Sequence, residues 1–186
     1  METCTPDVQS GATPPQPPYQ IEAVALEDGT VVAVRPVAPD DAARIDAFVD
    51  ALSEESAHRR FLGAKRRLTR KEIRYLTEVD HRDHEALVAL DRSTGALVGV
   101  ARYIRAADRP DTAELAVVVG DAWQGRGLGR AMVARLADRA RANGIRRGRA
   151  VVLAQNARAL RLLDTIGDRH TSRNGHVLEV DVELAA

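Results

Sequence analysis

Cysteine is all but absent from this chain of 186 residues, with Cys4 the only one. That excludes a disulfide framework and any cysteine-rich metal site. Aromatic residues are scarce at 3%, so Leu, Val, Ala and Ile must supply the core. Lysine is scarcer still: Lys65 and Lys71 are the only two among 27 basic residues. Net charge is missing too, because 27 acidic residues balance the 27 basic ones. No global field therefore draws the chain to nucleic acid or membrane. No apolar run approaches the roughly 18–20 residues of a membrane span. The N-terminus carries acidic Glu2 and lacks the basic-then-apolar order of a signal peptide. Together these absences predict a cytoplasmic protein with no membrane or nucleic-acid partner.

What remains is ordinary globular composition, 45% apolar and 29% charged. Residues 1–18 hold Pro6, Pro14, Pro15, Pro17 and Pro18. They read as a disordered, proline-rich tail, which leaves 19–186 as one folded domain. Two apolar runs flank Glu27-Asp28-Gly29-Thr30, a hairpin signal. Pro39-Asp40-Asp41 opens a helix with an aspartate as its cap, and Ile45, Phe48, Val49 and Leu52 follow at helical spacing. A basic stretch runs from His58 to Arg74, with Thr69 starting a short helix inside it. Ala86–Asp91, Leu97–Arg105 and Thr112–Gly120 read as strands. An amphipathic helix spans Leu128 to Asn143 and ends at Gly144. Arg149–Ala154 reads as a strand, Asn156 opens another helix, and Leu178 to Leu184 alternate as a strand buried on one side. The fold class is α/β, with a mixed and mostly antiparallel central sheet flanked by helices.

Chemistry concentrates where Val117-Val118-Val119 runs through a short turn into Gln124-Gly125-Arg126-Gly127-Leu128-Gly129-Arg130. Glycines at a helix start let backbone N–H groups converge where the helix dipole is positive, which suits a phosphate or pyrophosphate. The P-loop pattern fails, because Arg126-Gly127 stands where Lys and Ser/Thr are needed. The dinucleotide fingerprint fails at Arg130. The segment does satisfy Q-x-x-G-x-G through Gln124, Gly127 and Gly129.

On this loop, the strand before it and the Asn156 helix after it, residues 20–184 resemble the GNAT superfamily of acetyl-CoA-dependent N-acetyltransferases. The run from Asp80 to Glu114 is similar to a bacterial subgroup that contains protein-lysine acetyltransferases. A nucleotide-sensing domain, present in part of that subgroup, is not expected within these 186 residues. The resemblance implies that the backbone of Val117, Val118 and Val119 holds the pantetheine arm, with an amide near Val118 polarising the thioester. Gly125 to Arg130 would cradle the pyrophosphate, and Arg126 or Arg130 either pairs with phosphate or stays solvated. Asn156, with Ala159, matches the family's N-x-x-A, as a pantetheine ligand or a plain helix cap. An alkyl ammonium titrates near pH 10.4, so transfer at neutral pH needs a general base. Glu114 is the candidate, or else an ordinary strand carboxylate.

The implied acceptor is a protein lysine or a small-molecule amine, and a non-catalytic acyl-CoA-binding module is the alternative. One departure stands out: Leu163 replaces the tyrosine that serves many relatives as general acid. His81 and His84 lack the further ligands a metal site needs, so no metal is expected. Trp123 reads as packing. Arg59 to Arg74 read as a solvated helix face or a surface for an acidic acceptor. The oligomeric state is left open.

Overall fold

The computed structural model describes residues 20–63 and 67–184. The proline-rich tail, Lys65 and Arg66 lie outside them. Among the described residues the sheet has eight strands in the order β1-β2-β3-β4-β5-β6-β8-β7. They are β1 (Glu22–Ala25), β2 (Val31–Pro36), β3 (His84–Asp91), β4 (Leu97–Ala106), β5 (Arg109–Val119), β6 (Arg147–Leu153), β7 (Gly167–Asn174) and β8 (Val177–Leu184). Every neighbouring pair is antiparallel except β5–β6. The mixed sheet expected from the sequence is what the chain forms.

Helices α1 (Ala42–Asp50), α2 (Glu54–Phe61) and α3 (Arg70–Thr77) cover one face, and α4 (Leu128–Ala142) covers the other. Helix α5 (Ala157–Leu163) packs beside α4. On α4 the buried residues Leu128, Met132, Val133, Leu136, Ala137 and Ala140 fall on one stripe. The helix sits close to the sheet because β4 presents Gly99, where a Cβ would come within 2.9 Å of Met132 Sδ. A second core under α1 gathers Ile45, Phe48 and Val49 against Ala86, Val88 and Val100.

Three local features differ from the sequence reading. Asp41 does not cap α1 with its side chain. Its carboxylate is fully buried and instead takes both Arg35 guanidinium nitrogens at 2.6 Å, plus the Ala38 N–H at 3.0 Å. Helix α2, whose second half runs into the basic stretch, is absent from the sequence reading, although Ser53 caps it by accepting from the Ser56 N–H. Strand β7 was also hidden, because its polar residues are mostly exposed at the sheet edge and carry no alternating pattern. Among the described residues no helix is long and apolar enough to cross a membrane.

Candidate functional site

The parallel β5–β6 ladder joins only Thr112, Ala113 and Glu114 to Arg147, Gly148 and Arg149. Beyond those pairs the strands part, and a cleft of about 510 Å³ opens between residues 115–119 and residues 150–152. The glycine loop and Asn156 close its far side. Gly120 N–H donates to Val98 O at 2.9 Å across the antiparallel β4–β5 edge. Backbone direction alternates along such a ladder. Ala116 and Val118 therefore turn their N–H and C=O toward β4, while Val117 and Val119 turn theirs into the cleft. The cleft-facing amides near Val118 are thus those of its two neighbours.

The loop enters α4 through Gly125 (φ 74°) and Gly127 (φ 84°), a conformation that L side chains adopt at a cost. Nothing lies within 4 Å of a Cβ built on Gly125, so its backbone is open to a ligand. Gly127 packs instead on Glu27, 3.1 Å from such a Cβ. The two side chains between these glycines and Gly129 do not enter the cleft. Leu128 is 1% exposed, in the core. Arg126 turns back to the β1–β2 hairpin, where it pairs with Asp28 and donates to Thr30 Oγ1 at 2.8 Å. Its guanidinium also lies 4.8 Å over the ring of Trp123, which lines the cleft as well. Arg130 does line the cleft, and so do Arg158 and Arg161 of α5, which the sequence reading missed. Their spacing of three on one helix face was the available signal.

Glu114 stands at the apex where the ladder ends, exposed into the cleft. By strand alternation it shares a face with Ala116 and Val118. Arg60 of α2 lines the same space. Burial lowers the Arg60 pKa, and the negative charge of Glu114 opposes that shift. Arg102, opposite Ala116 on β4, is 4% exposed. Burial and then Arg60 bring its pKa to about 10. It hydrogen-bonds His84 Nε2 at 3.0 Å and donates to Leu76 O at 3.2 Å. Burial and Arg102 hold His84 to about 4, so its ring is neutral. His81 Nδ1 lies 2.8 Å from Glu85, at a residue with φ 57°. Among the described residues no three potential ligands cluster around a metal position.

Asn156 lines the cleft, and its Oδ1 accepts from Ala159 N–H at 3.2 Å, capping α5. The cap leaves its Nδ2 able to donate. Leu163 is 4% exposed on the cleft wall, so the tyrosine position is filled by a buried apolar side chain. Gln124, expected among the cofactor-binding residues, also lines the cleft. Its Nε2 donates to Val119 O at 3.1 Å and Ser56 Oγ at 3.0 Å, and its Oε1 accepts from Arg158 at 3.1 Å.

Residues 50–167 match the family model described as "Acetyltransferase (GNAT) family". Acetyltransferase Pat of Mycolicibacterium smegmatis is 34% identical over 77% of this chain, which spans 43% of that relative's length. The solved GNAT domain of S. lividans PAT superposes with a TM-score of 0.81 at 33% identity, covering 88% of this chain and 97% of that one. A protein of Salmonella typhimurium, solved with acetyl-CoA as its cofactor, shares the fold at 21% identity and a TM-score of 0.67, over 83% of this chain and 94% of its own.

Proposed function

The chain belongs to the acetyltransferase (GNAT) family, and from that premise we propose that it moves an acetyl group from acetyl-CoA directly to a primary amine, with a protein lysine side chain as the acceptor. The observation that carries this reading is the carboxylate of Glu114 at the apex of a cleft whose walls suit a pantetheine thioester.

The residues fit that cosubstrate. Gly125 and the first amides of α4 offer N–H groups at a positive helix end, and Arg130, Arg158 and Arg161 bring cations to the same mouth. The N–H groups of Val117 and Val119 face the cleft for the arm and for the thioester oxygen. Glu114 accepts a proton from the incoming ammonium, directly or through one water. The freed lone pair then forms the N–C bond as the C–S bond breaks, and coenzyme A leaves as a thiolate. With Leu163 in the tyrosine position, that thiolate takes, through water, the second proton that the new amide nitrogen sheds. Arg60 lines the same space and disfavours a second positive charge there, so it assists loss of the ammonium proton. The similarity of the run from Asp80 to Glu114 to the subgroup that contains protein-lysine acetyltransferases supports the lysine acceptor, and the GNAT domain of S. lividans PAT supports acetyl transfer.

Buried Leu163 favours one other reading, a module that binds acyl-CoA without turnover. The test incubates the protein with acetyl-CoA and, separately, single-lysine peptides, spermidine and free lysine. Release of coenzyme A together with an acetylated peptide is the expected result. Acetylation of the small amines alone would move the acceptor class, and tight acetyl-CoA binding with no product would establish the binding module.

A further inference from the structure

The side chain of Gln124 leads the glycine loop, yet its hydrogen-bonding groups are already spoken for. A carboxamide has two N–H donors and one carbonyl oxygen. Here the donors go to Ser56 Oγ and Val119 O, and the oxygen takes Arg158. Ser56 is 6% exposed, and its hydroxyl donates onward to Asp121 Oδ1 at 2.7 Å. The same carboxylate accepts from Ser53 Oγ at 2.7 Å and from Ser53 N–H at 2.9 Å. Ser53 in turn caps α2, accepting from Ser56 N–H at 3.2 Å. Burial pushes the Asp121 carboxyl upward, but the Ser53 amide and the two serine hydroxyls outweigh it and hold it ionised. The result is a continuous chain of hydrogen bonds from α5, through the loop, to the first turn of α2.

Helix α2 is the element that carries Arg59, Arg60 and, just after it, Leu62 to the cleft. Its first turn is tied to the loop across some 65 residues of sequence by Asp121 and Gln124. We propose that Asp121, Ser56 and Gln124 form a positioning site that sets the acceptor-side helix α2 in register with the cofactor loop, so that a filled loop fixes Arg60 beside Glu114. These three are positioning residues and touch neither phosphate nor acceptor through the groups named. The inference rests on the acetyl-transfer reading above, and goes beyond it by linking the two substrate sites through one network.

The test compares wild type with Ser56→Ala, Asp121→Asn and the hydroxyl-keeping Ser56→Thr. Amide exchange across residues 54–61 is followed with and without saturating acetyl-CoA. In wild type the cosubstrate should slow exchange in α2 roughly tenfold. In S56A and D121N protection should remain in the loop and α4 and vanish from α2. With a single-lysine peptide, KM should rise roughly fivefold in both variants, the size expected for one lost hydrogen bond. The acetyl-CoA Kd should stay within about twofold of wild type, and S56T should recover the peptide KM. Wild-type α2 exchange that ignores acetyl-CoA would overturn the proposal. So would a Kd for acetyl-CoA that rises in step with the peptide KM. A wild type that acetylates no peptide would remove the lysine reading alone, because the exchange experiment still decides the coupling.

Discussion

At the scale of single residues, the loop divides its work between backbone and side chains. Its Gly125 backbone opens on the cleft, while Gln124 and Arg126 brace α2 and the first hairpin. Arg130→Ala should therefore weaken acetyl-CoA binding several-fold more than Arg126→Ala, as titration calorimetry would show. Equal losses would mean that Arg126 swings into the cleft. Gly127→Ala forces a Cβ onto a φ of 84° and to 3.1 Å from Glu27. It should cost about 1–2 kcal/mol of stability in urea unfolding. Glycine at that place was legible in the sequence, as were Glu114 and Asn156. The outward turn of Gln124 and Arg126 was not. Their partners Ser56, Asp28 and Thr30 lie 68 to 98 residues away, and local pattern carries no trace of such contacts.

Elements were legible in proportion to their periodicity. The stripe on α4 and the alternation on β8 declare themselves because each buries one face. Helix α2 has few buried residues, Ser56 and Ala57, and β7 has none. Their positions are fixed by partners elsewhere, so sequence periodicity is silent about them. The splay of β5 from β6, which makes the cleft, is likewise a tertiary fact. Asp41 shows the same override. Its position reads as a helix cap, yet its carboxylate ties β2 to the turn before α1 through Arg35. Asp41→Ala removes the carboxylate that takes two bonds from the buried Arg35 guanidinium and should cost about 3–5 kcal/mol in chemical denaturation. Burial pushes the Asp41 carboxyl up, but the Arg35 and Ala38 hydrogen bonds outweigh it and hold the pKa low. A depressed folded value means that the stabilisation is complete above the unfolded pKa of about 3.9 and is lost as pH falls below it.

For the whole molecule, the acid limb of stability starts higher, with His84. Burial and the Arg102 guanidinium depress its pKa from 6.5 to about 4. The unfolded chain takes up a proton that the folded chain refuses, so stability falls as pH drops from about 6.5 to about 4. Urea midpoints at pH 7 and pH 5 should differ in wild type and converge in His84→Gln. An equal difference in the variant would place the effect elsewhere, since the depressed carboxylates act only at lower pH. The account as a whole turns on one carboxylate at the apex of one cleft. The measurement that tests it most directly is the rate of acetyl transfer from acetyl-CoA to a single-lysine peptide, wild type against Glu114→Gln, with acetyl-CoA affinity recorded for both. The expected result is a fall in kcat of roughly a hundredfold or more, the scale of a lost general base, with cosubstrate affinity unchanged. Full turnover by the variant would contradict the assignment of Glu114 and the mechanism built on it.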